Sequence, residues 1–190
     1  MPNNWTIPGT TLQIDKSNAP RVAELFQSMF LSGGMVLSQV ANITGLEAYT
    51  VQNWVKRGFL SPPIHKQYTM EQLCRILNIN MLRSILPMER ICGLLSYING
   101  DLDDDRDDII KDSDLYFIFV KLAARARQLD DAAHRDEIIA ATLEGYVEPV
   151  PGSKDRISKA LRVMLTAWVA ARMKQEAEAM LEGLQNERPR

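Results

Sequence analysis

Four polar residues recur at helical spacing in a stretch of chain that has no acidic side chain. They are Tyr49, Gln52, Asn53 and Lys56. Between residues 48 and 70 there is no Asp or Glu, although the whole chain has 24 acidic residues. Amide side chains can pair with the edges of adenine, and a lysine can meet a phosphate. These four residues predict a surface that contacts nucleic acid. The alternative is a helix whose polar side contacts only water.

Two short helices with a turn between them would present this row to the outside. Residues 35–43 and 47–57 each suit a short helix, and Thr44-Gly45 suits the turn. The apolar residues expected to pack between the helices are Val36, Val40, Ile43, Leu46, Val51 and Trp54. Pro62 and Pro63 forbid a helix in the next segment and favour extended chain. Two helices, a tight turn and an extended wing are the parts of a winged helix-turn-helix.

Further helices are predicted on both sides of this unit. The first twenty residues contain three prolines and suit an extended arm, and residues 21–30 have the apolar spacing of an amphipathic helix. Thr69 and Gln72 have the spacing of a capping box, which sets the start of the next helix. Pro87 fits the first turn of another helix. We therefore expect the amino half to consist of short helices around one small β element.

The carboxyl half begins with an acidic segment and continues with longer helices. Eight Asp residues fall between positions 101 and 114, and the chain that follows is apolar nearly all round, as in a helix at the centre of a bundle. A long final helix is predicted from about 154 to 184. The predicted fold class is all-α, with a winged helix-turn-helix amino half, a short β wing and a following helical bundle. The expected domains are 1–34 (arm and first helix), 35–100 (winged helix) and 101–190 (acidic loop and helical region).

Composition favours a folded protein of the cytoplasm with no membrane segment. Hydrophobic residues make up 46% of the 190, and no apolar run is long enough to cross a bilayer. The first residues lack the features of a signal peptide. Residues 1–88 carry seven basic against four acidic side chains, whereas residues 89–190 carry 15 against 20. Cys74 and Cys92 have no metal spacing, so we expect reduced, packed thiols.

The acidic segment invites a metal interpretation. The residues at positions 1, 3, 5 and 12 of a calcium-type loop would be Asp101, Asp103, Asp105 and Asp112. However, Arg106 stands where the loop needs Gly, and an Asp stands where a bidentate Glu is expected. We therefore expect no metal site but solvated carboxylates, with Asp112 or Ser113 capping the next helix.

No catalytic motif is present. The chain lacks HExxH, GxSxG, GxGxxG and P-loop patterns, and its two histidines, His65 and His134, have no evident partner. The prediction is a protein that is not an enzyme and has no catalytic residue and no cofactor. An unrecognised site in the helical half remains the alternative.

From Leu37 to Leu95 the sequence resembles the MerR family of winged-helix transcription regulators. The matching pattern is a short helix, Thr-Gly, a recognition helix ending in basic residues before Gly-Phe-Leu, then proline, a tyrosine and a helix that opens with Thr. The whole chain also resembles a bacterial group known as domain-of-unknown-function family 1836. The first resemblance implies a transcription regulator that binds double-stranded DNA. The candidate DNA-binding residues are Tyr49, Thr50, Gln52, Asn53, Lys56, Arg57, His65 and Lys66.

The chain departs from the MerR pattern where charge matters. Tyr49 and Gln52 occupy positions that usually hold basic residues in that family. Fewer cations neutralise fewer phosphates, so DNA affinity would be weaker. The alternative is a protein-interaction module that kept the winged-helix fold without DNA binding.

MerR relatives end in a long helix that pairs with its twin, which implies a homodimer through the C-terminal helix. The stripe that would serve begins with Ile157, Leu161, Met164, Leu165 and Trp168 and continues less regularly to Leu184. Packing of this stripe onto the chain's own helices is the alternative. The sequence does not identify a small-molecule effector.

Overall fold

The structure is a computed structural model that describes residues 4–100, 102, 108–125 and 132–186. Within these ranges the chain is mostly helical, with small two-stranded sheets. The helices are α1 (Val22–Met29), α2 (Leu37–Thr44), α3 (Ala48–Lys56), α4 (Met70–Leu82), α5 (Met88–Asn99), α6 (Asp112–Ala123), α7 (Ala132–Thr142) and α8 (Ser153–Asn186). The strands are β1 (Asn4–Thr6), β2 (Gln13–Asp15), β3 (Met35–Val36) and β4 (Gln67–Tyr68), and a 3-10 helix covers Lys16–Arg21.

Helices α2 and α3 are joined by a left-handed turn at Gly45, whose φ is 68° and whose amide bonds back to Ala41. A residue with a side chain would be strained there. Most of the apolar residues expected between the two helices are buried, but Val36 is 42% exposed. The reason is that residues 35 and 36 form a strand, so Met35 points inward and Val36 outward. Helix α2 therefore begins two residues later than predicted.

Strand β3 pairs antiparallel with β4, so Met35 lies opposite Tyr68. Just before β4 the chain reverses in a two-residue turn, where Ile64 and Gln67 exchange backbone hydrogen bonds of 3.0 and 2.8 Å. The central residues are His65 and Lys66, with φ of 49° and 64°. Positive φ at both central positions is the geometry of a type I′ turn, which normally uses Asn and Gly. The turn is thus held in a conformation that its side chains disfavour.

Helix α4 lies at the centre of the molecule and packs against α2, α5, α6 and α8. The predicted capping box is confirmed: the Thr69 hydroxyl accepts from the Gln72 amide at 3.2 Å, and the Gln72 side chain accepts from the Thr69 amide at 3.0 Å. Every residue from Gln72 to Ile79 is buried. Helix α4 is therefore buried on all sides more completely than α6, which is the helix that the sequence predicted to be central.

Instead of an extended arm, the first residues form a β-hairpin with Trp5 opposite Ile14, followed by the 3-10 helix. The hairpin turn enters the core, because Ile7 is fully buried and the Tyr116 hydroxyl donates to the Pro8 carbonyl at 2.8 Å. At Gly9, where φ is 75°, a Cβ would lie 2.9 Å from the backbone oxygen of Leu77. Such an approach between backbones requires glycine.

The start of α6 differs from the prediction. Its N-cap is Lys111, not Asp112 or Ser113. A residue of α4 bonds to the first turn of α6 instead: the Glu71 carboxylate accepts from the Ser113 amide at 2.9 Å and from the Ser113 hydroxyl at 2.7 Å. The helix is otherwise packed by aromatic residues, with Phe26 of α1 5.7 Å from Tyr116 and 5.5 Å from Phe117 between ring centroids.

Helix α8 has two parts with different surroundings. Ile157, Leu161, Met164 and Leu165 are fully buried against the rest of the chain, and Trp168 packs edge-on against Phe119. From residue 172 to 184, by contrast, every residue is exposed. The first part of the predicted stripe therefore fills the chain's own core. Among the described helices, none combines the length and the apolar content that a bilayer span requires.

A single hydrophobic cluster contains residues from Ile7 to Val169. The predicted segments 1–34, 35–100 and 101–190 all contribute to it. The division of the chain into these three domains remains a prediction.

Candidate nucleic-acid interface

Helix α3 presents a polar face next to a buried one. Tyr49 is 70% exposed. Gln52, Asn53 and Lys56 are exposed as well, whereas Thr50 is partly buried. On the other side Val51 and Trp54 are 0% and 4% exposed. These residues anchor the helix, so the polar face is held by packing on the opposite side and not by contacts of its own.

The segment that follows α3 is fastened at both ends. The Phe59 amide bonds to the Trp54 carbonyl at 2.9 Å, which closes the end of α3. Farther on, the buried amide of Gln72 donates to the carbonyls of Ser61 and Pro62 at 3.1 and 2.9 Å. Since Gln72 also belongs to the capping box, one side chain sets the start of α4 and holds the extended segment against it.

Beyond this attachment lie the two candidate residues of the wing. His65 and Lys66 are exposed at the centre of the type I′ turn. A tight turn limits where a side chain can point, so the Lys66 ammonium is presented from a well-defined backbone.

Arg57 is not a free cation. Its guanidinium forms a 3.0 Å ion pair with Glu89 at the start of α5 and lies 4.5 Å from the centre of the Phe59 ring. Both charged side chains of the pair are at least half exposed, at 50% and 68%. The prediction that Arg57 meets a phosphate therefore has a competitor within the same chain.

Sequence reasoning missed Gln72 as a positioning residue and Glu89 as the partner of Arg57. The spacing from Thr69 to Gln72 identified the capping role, but the Gln72 amide also donates hydrogen bonds to residues ten and eleven positions away. Arg57 and Glu89 are 32 positions apart. No local pattern reports such pairings.

Other reactive groups have structural surroundings. Both cysteines are free thiols, as predicted. Burial raises the pKa of the Cys74 thiol well above its usual range, and the neighbouring carboxylates of Glu71 and Asp112 raise it further. Burial also raises the pKa of the Cys92 thiol. A raised pKa makes a thiol less reactive.

Part of the calcium interpretation lies outside the described residues, which omit Asp101, Asp103 and Asp105. The fourth position, Asp112, forms a 3.3 Å ion pair with the buried Arg75. In the part of the chain that the structure describes, no group of three or more His, Cys, Asp or Glu side chains is arranged to hold a metal ion.

Comparison with known proteins assigns no activity. A family model described as "Domain of unknown function (DUF1836)" matches residues 20–119, which is more than half of the chain. An uncharacterized protein of Bacillus subtilis (strain 168), YkrK, is 32% identical over 78 residues. That match covers 39% of this chain and 34% of the relative, so the chain spans about a third of the relative's length. No solved structure matches significantly.

Proposed function

The chain belongs to the DUF1836 family of unknown function, and from its own site we propose that it binds double-stranded DNA as a transcription regulator of MerR-like type. In this proposal residues 35–100 act as a winged helix-turn-helix in the bacterial cytoplasm. Helix α3 enters the major groove, and the turn at His65-Lys66 serves as the wing.

The observation that carries the proposal is the division of α3 into two faces. Gln52 and Asn53 are exposed side by side. Their amides are suited to the adjacent acceptor and donor of adenine. They lie on a helix whose buried side is formed by Val51 and Trp54, so they can be changed without disturbing the core. Lys56 at the end of the same face and Lys66 in the turn supply cations for the phosphate backbone.

The test replaces the polar face and leaves the buried one intact. Gln52→Ala combined with Asn53→Ala should abolish preference among DNA sequences and shift the melting temperature little, because exposed side chains contribute little to stability. Trp54→Ala is the contrasting variant. It should cost about 3–5 kcal/mol, since it truncates a large core residue. Selection of bound fragments from genomic DNA, followed by titration of the selected sequences, measures the first effect, and chemical denaturation measures the second.

A second candidate, the protein-interaction module, is favoured by the ion pair between Arg57 and Glu89. If Arg57 is neutralised within the chain, a dimer offers only Lys56 and Lys66 from each copy, or about four phosphate contacts. The logarithm of DNA affinity would then fall with the logarithm of salt concentration at a slope of about -3.6. A protein that no longer binds DNA could keep such a pair at no cost.

Glu89→Gln separates the two candidates, because it releases Arg57 without changing side-chain size. For a DNA-binding protein the salt slope should steepen from about -3.6 to about -5.4, since two phosphates are added per dimer. Glu24→Gln is the matched control, because it breaks the 3.0 Å surface pair with Arg21, outside the proposed winged helix. If neither variant nor the parent associates with any DNA in low salt, the interaction-module function replaces DNA binding.

We also propose a homodimer through the second part of α8. Met173, Met180 and Leu184 are 60%, 63% and 64% exposed. Together with Ala177 they follow the spacing of four, three and four residues that brings apolar side chains onto one seam. The seam is less than two heptads long, so we expect weak, concentration-dependent association, which sedimentation at micromolar concentration would measure.

A further inference from the structure

A cleft lies between the turn of the first hairpin, the carboxyl-terminal ends of α2 and α4, and the middle of α8. Its volume is about 480 Å³, within the range of small-molecule sites. The described residues of its lining include Arg83 and Arg172 but no Asp or Glu, although the chain has 24 acidic residues against 22 Lys and Arg. The charge of this cleft is therefore opposite in sign to that of the chain as a whole.

Arg83, at the end of α4, is positioned by a neighbouring side chain. Its Nε donates to the Asn80 side-chain oxygen at 2.8 Å. Asn80 is itself fixed, because its side-chain nitrogen donates to the carbonyls of Gly9 and Thr44, both at 2.9 Å. Two carbonyl oxygens that would disfavour an anion in the cleft are thus already paired. Only the Nε of the guanidinium is used in this contact, so the donors of its two terminal nitrogens remain for another group.

Arg172 is positioned by an aromatic ring. Its guanidinium lies 5.0 Å from the centre of the Trp168 ring. That ring packs edge-on against the buried Phe119, with 6.1 Å between the ring centroids. A guanidinium that stacks on a ring keeps its in-plane N–H donors, so this contact orients Arg172 without using its hydrogen bonds.

Neither guanidinium is neutralised by a carboxylate in the part of the chain that the structure describes. On the same helix as Arg172, by contrast, Arg162 pairs with Asp136 at 2.7 Å. A cation at the end of a helix also stabilises the last carbonyls, but this accounts for Arg83 alone, since Arg172 lies within α8. Two oriented cations that line one cleft without a counter-charge favour an anion from outside the protein.

The number of cations narrows the class of that anion. A carboxylate has two oxygens, and the fork of one guanidinium can occupy both. A phosphate monoester has three terminal oxygens and up to two negative charges, so it can bond to two guanidinium groups at once. The cleft is larger than a phosphate, and Thr10, Ser84 and Gln175 add hydroxyl and amide groups to its lining. Such groups suit a ligand that carries hydroxyls.

We propose that this cleft binds the phosphate monoester of a small hydroxylated molecule, and that Arg83 and Arg172 bind the phosphate. The proposal does not depend on DNA binding, because no described residue of α3 lines the cleft.

Calorimetric titration of the full chain in low salt, with ribose 5-phosphate, ribose and gluconate, tests the proposal. Ribose 5-phosphate should bind. Ribose has the hydroxyls without the phosphate, and gluconate has hydroxyls with a carboxylate in its place. Both should bind about tenfold more weakly or not at all, because neither can bond to two guanidinium groups through one anionic group.

Two variants and a matched control assign the site. Arg83→Gln and Arg172→Gln should each weaken binding of ribose 5-phosphate about tenfold or more, since each removes charge-assisted hydrogen bonds. Arg90→Gln changes an exposed arginine of α5 outside the cleft and should leave binding unchanged. The melting temperatures of all three should stay close to that of the parent, because the replaced side chains are exposed.

Nuclear magnetic resonance of the parent gives a readout that needs no variant. The Nε–H signals of Arg83 and Arg172 should shift on addition of ribose 5-phosphate, and the signal of Arg90 should not. The proposal is overturned if ribose 5-phosphate does not bind, if ribose or gluconate binds equally well, or if both Gln variants bind normally. It is also overturned if only the salt slope of DNA binding flattens in those variants, since the cleft would then serve the DNA backbone.

Discussion

The double role of Gln72 predicts that a change of one atom will be costly. Its Oε1 accepts from the Thr69 amide at 3.0 Å, and its Nε2 donates to the Ser61 carbonyl, the Ser61 hydroxyl and the Pro62 carbonyl at 3.1, 3.1 and 2.9 Å. Gln72→Glu keeps the acceptor of the capping box but replaces the donor by a second oxygen. That oxygen would face two carbonyl oxygens at a position only 8% exposed.

The expected loss follows from those contacts. An unsatisfied buried group costs about 1–3 kcal/mol, and two carbonyls lose their donor, so Gln72→Glu should lower the free energy of unfolding by about 3 kcal/mol near neutral pH. Burial would raise the pKa of the new carboxyl above its ordinary value. Protonation restores one donor, so the deficit should be small in acid and grow as pH rises through that raised pKa.

Gln39 provides the control, because its side chain accepts from the Val36 amide at 2.9 Å in the same capping position of α2 but is exposed. Gln39→Glu should change the free energy of unfolding by less than about 0.5 kcal/mol. Denaturant titrations of both variants and the parent at about pH 7 and about pH 4.5 give the comparison. Equal stability of Gln72→Glu and the parent at the higher pH would refute the assigned role of the Gln72 donors.

Three further outcomes are expected. Lys66→Gly should raise the free energy of unfolding by about 0.5–1 kcal/mol in denaturation experiments and Lys66→Ala should not, because only glycine relieves the left-handed backbone at φ 64°. Arg75→Met should cost about 3–5 kcal/mol at neutral pH, because it leaves Asp112 as an unpaired buried charge. In the parent, burial raises the pKa of Asp112 although the charge of Arg75 opposes the rise. The variant lacks that opposing charge, so its deficit should shrink as pH falls through the raised Asp112 pKa, and denaturation at several pH values would show it. Leu181→Glu places a charge directly after Met180, on the flank of the proposed seam, and should shift sedimentation toward monomer; since Leu181 is 56% exposed, the melting temperature should not fall.

Local signals in the sequence predicted several elements correctly. The capping box at Thr69, the turn at Gly45 and the two faces of α3 are all encoded within a few residues. Each depends on a short-range rule: hydroxyl and amide spacing, the freedom of glycine to take positive φ, or apolar periodicity. Such rules work because the partners are at most one or two helical turns apart.

Features that depend on distant partners were not predictable in the same way. The first residues were expected to be an extended arm because of their prolines, but Tyr116 and α4 provide a docking site for a hairpin. The central position of α4 was missed because the helix carries polar residues that usually mark a surface, among them Gln72, Arg75 and Asn78. Arg57 was expected to be a free cation, since nothing near it in the sequence indicates Glu89.

The polar residues of α4 explain why this helix can be buried. They bond to several neighbouring parts of the chain: Glu71 bonds to Ser113 at the start of α6, Gln72 to the segment after α3, and Arg75 to Asp112. At the other end, Asn80 donates to the Gly9 and Thr44 carbonyls, both at 2.9 Å.

These contacts make the two halves of the chain depend on each other. A fragment ending at residue 100 would remove Ser113 from Glu71 and Asp112 from Arg75 and would expose the face of α4 that packs on α6. Unpaired buried charge and exposed apolar surface both disfavour folding. Gln72 of α4 holds the segment that follows α3. Because α4 needs the carboxyl half to bury its surface, the position of the α3 face depends on the carboxyl half as well.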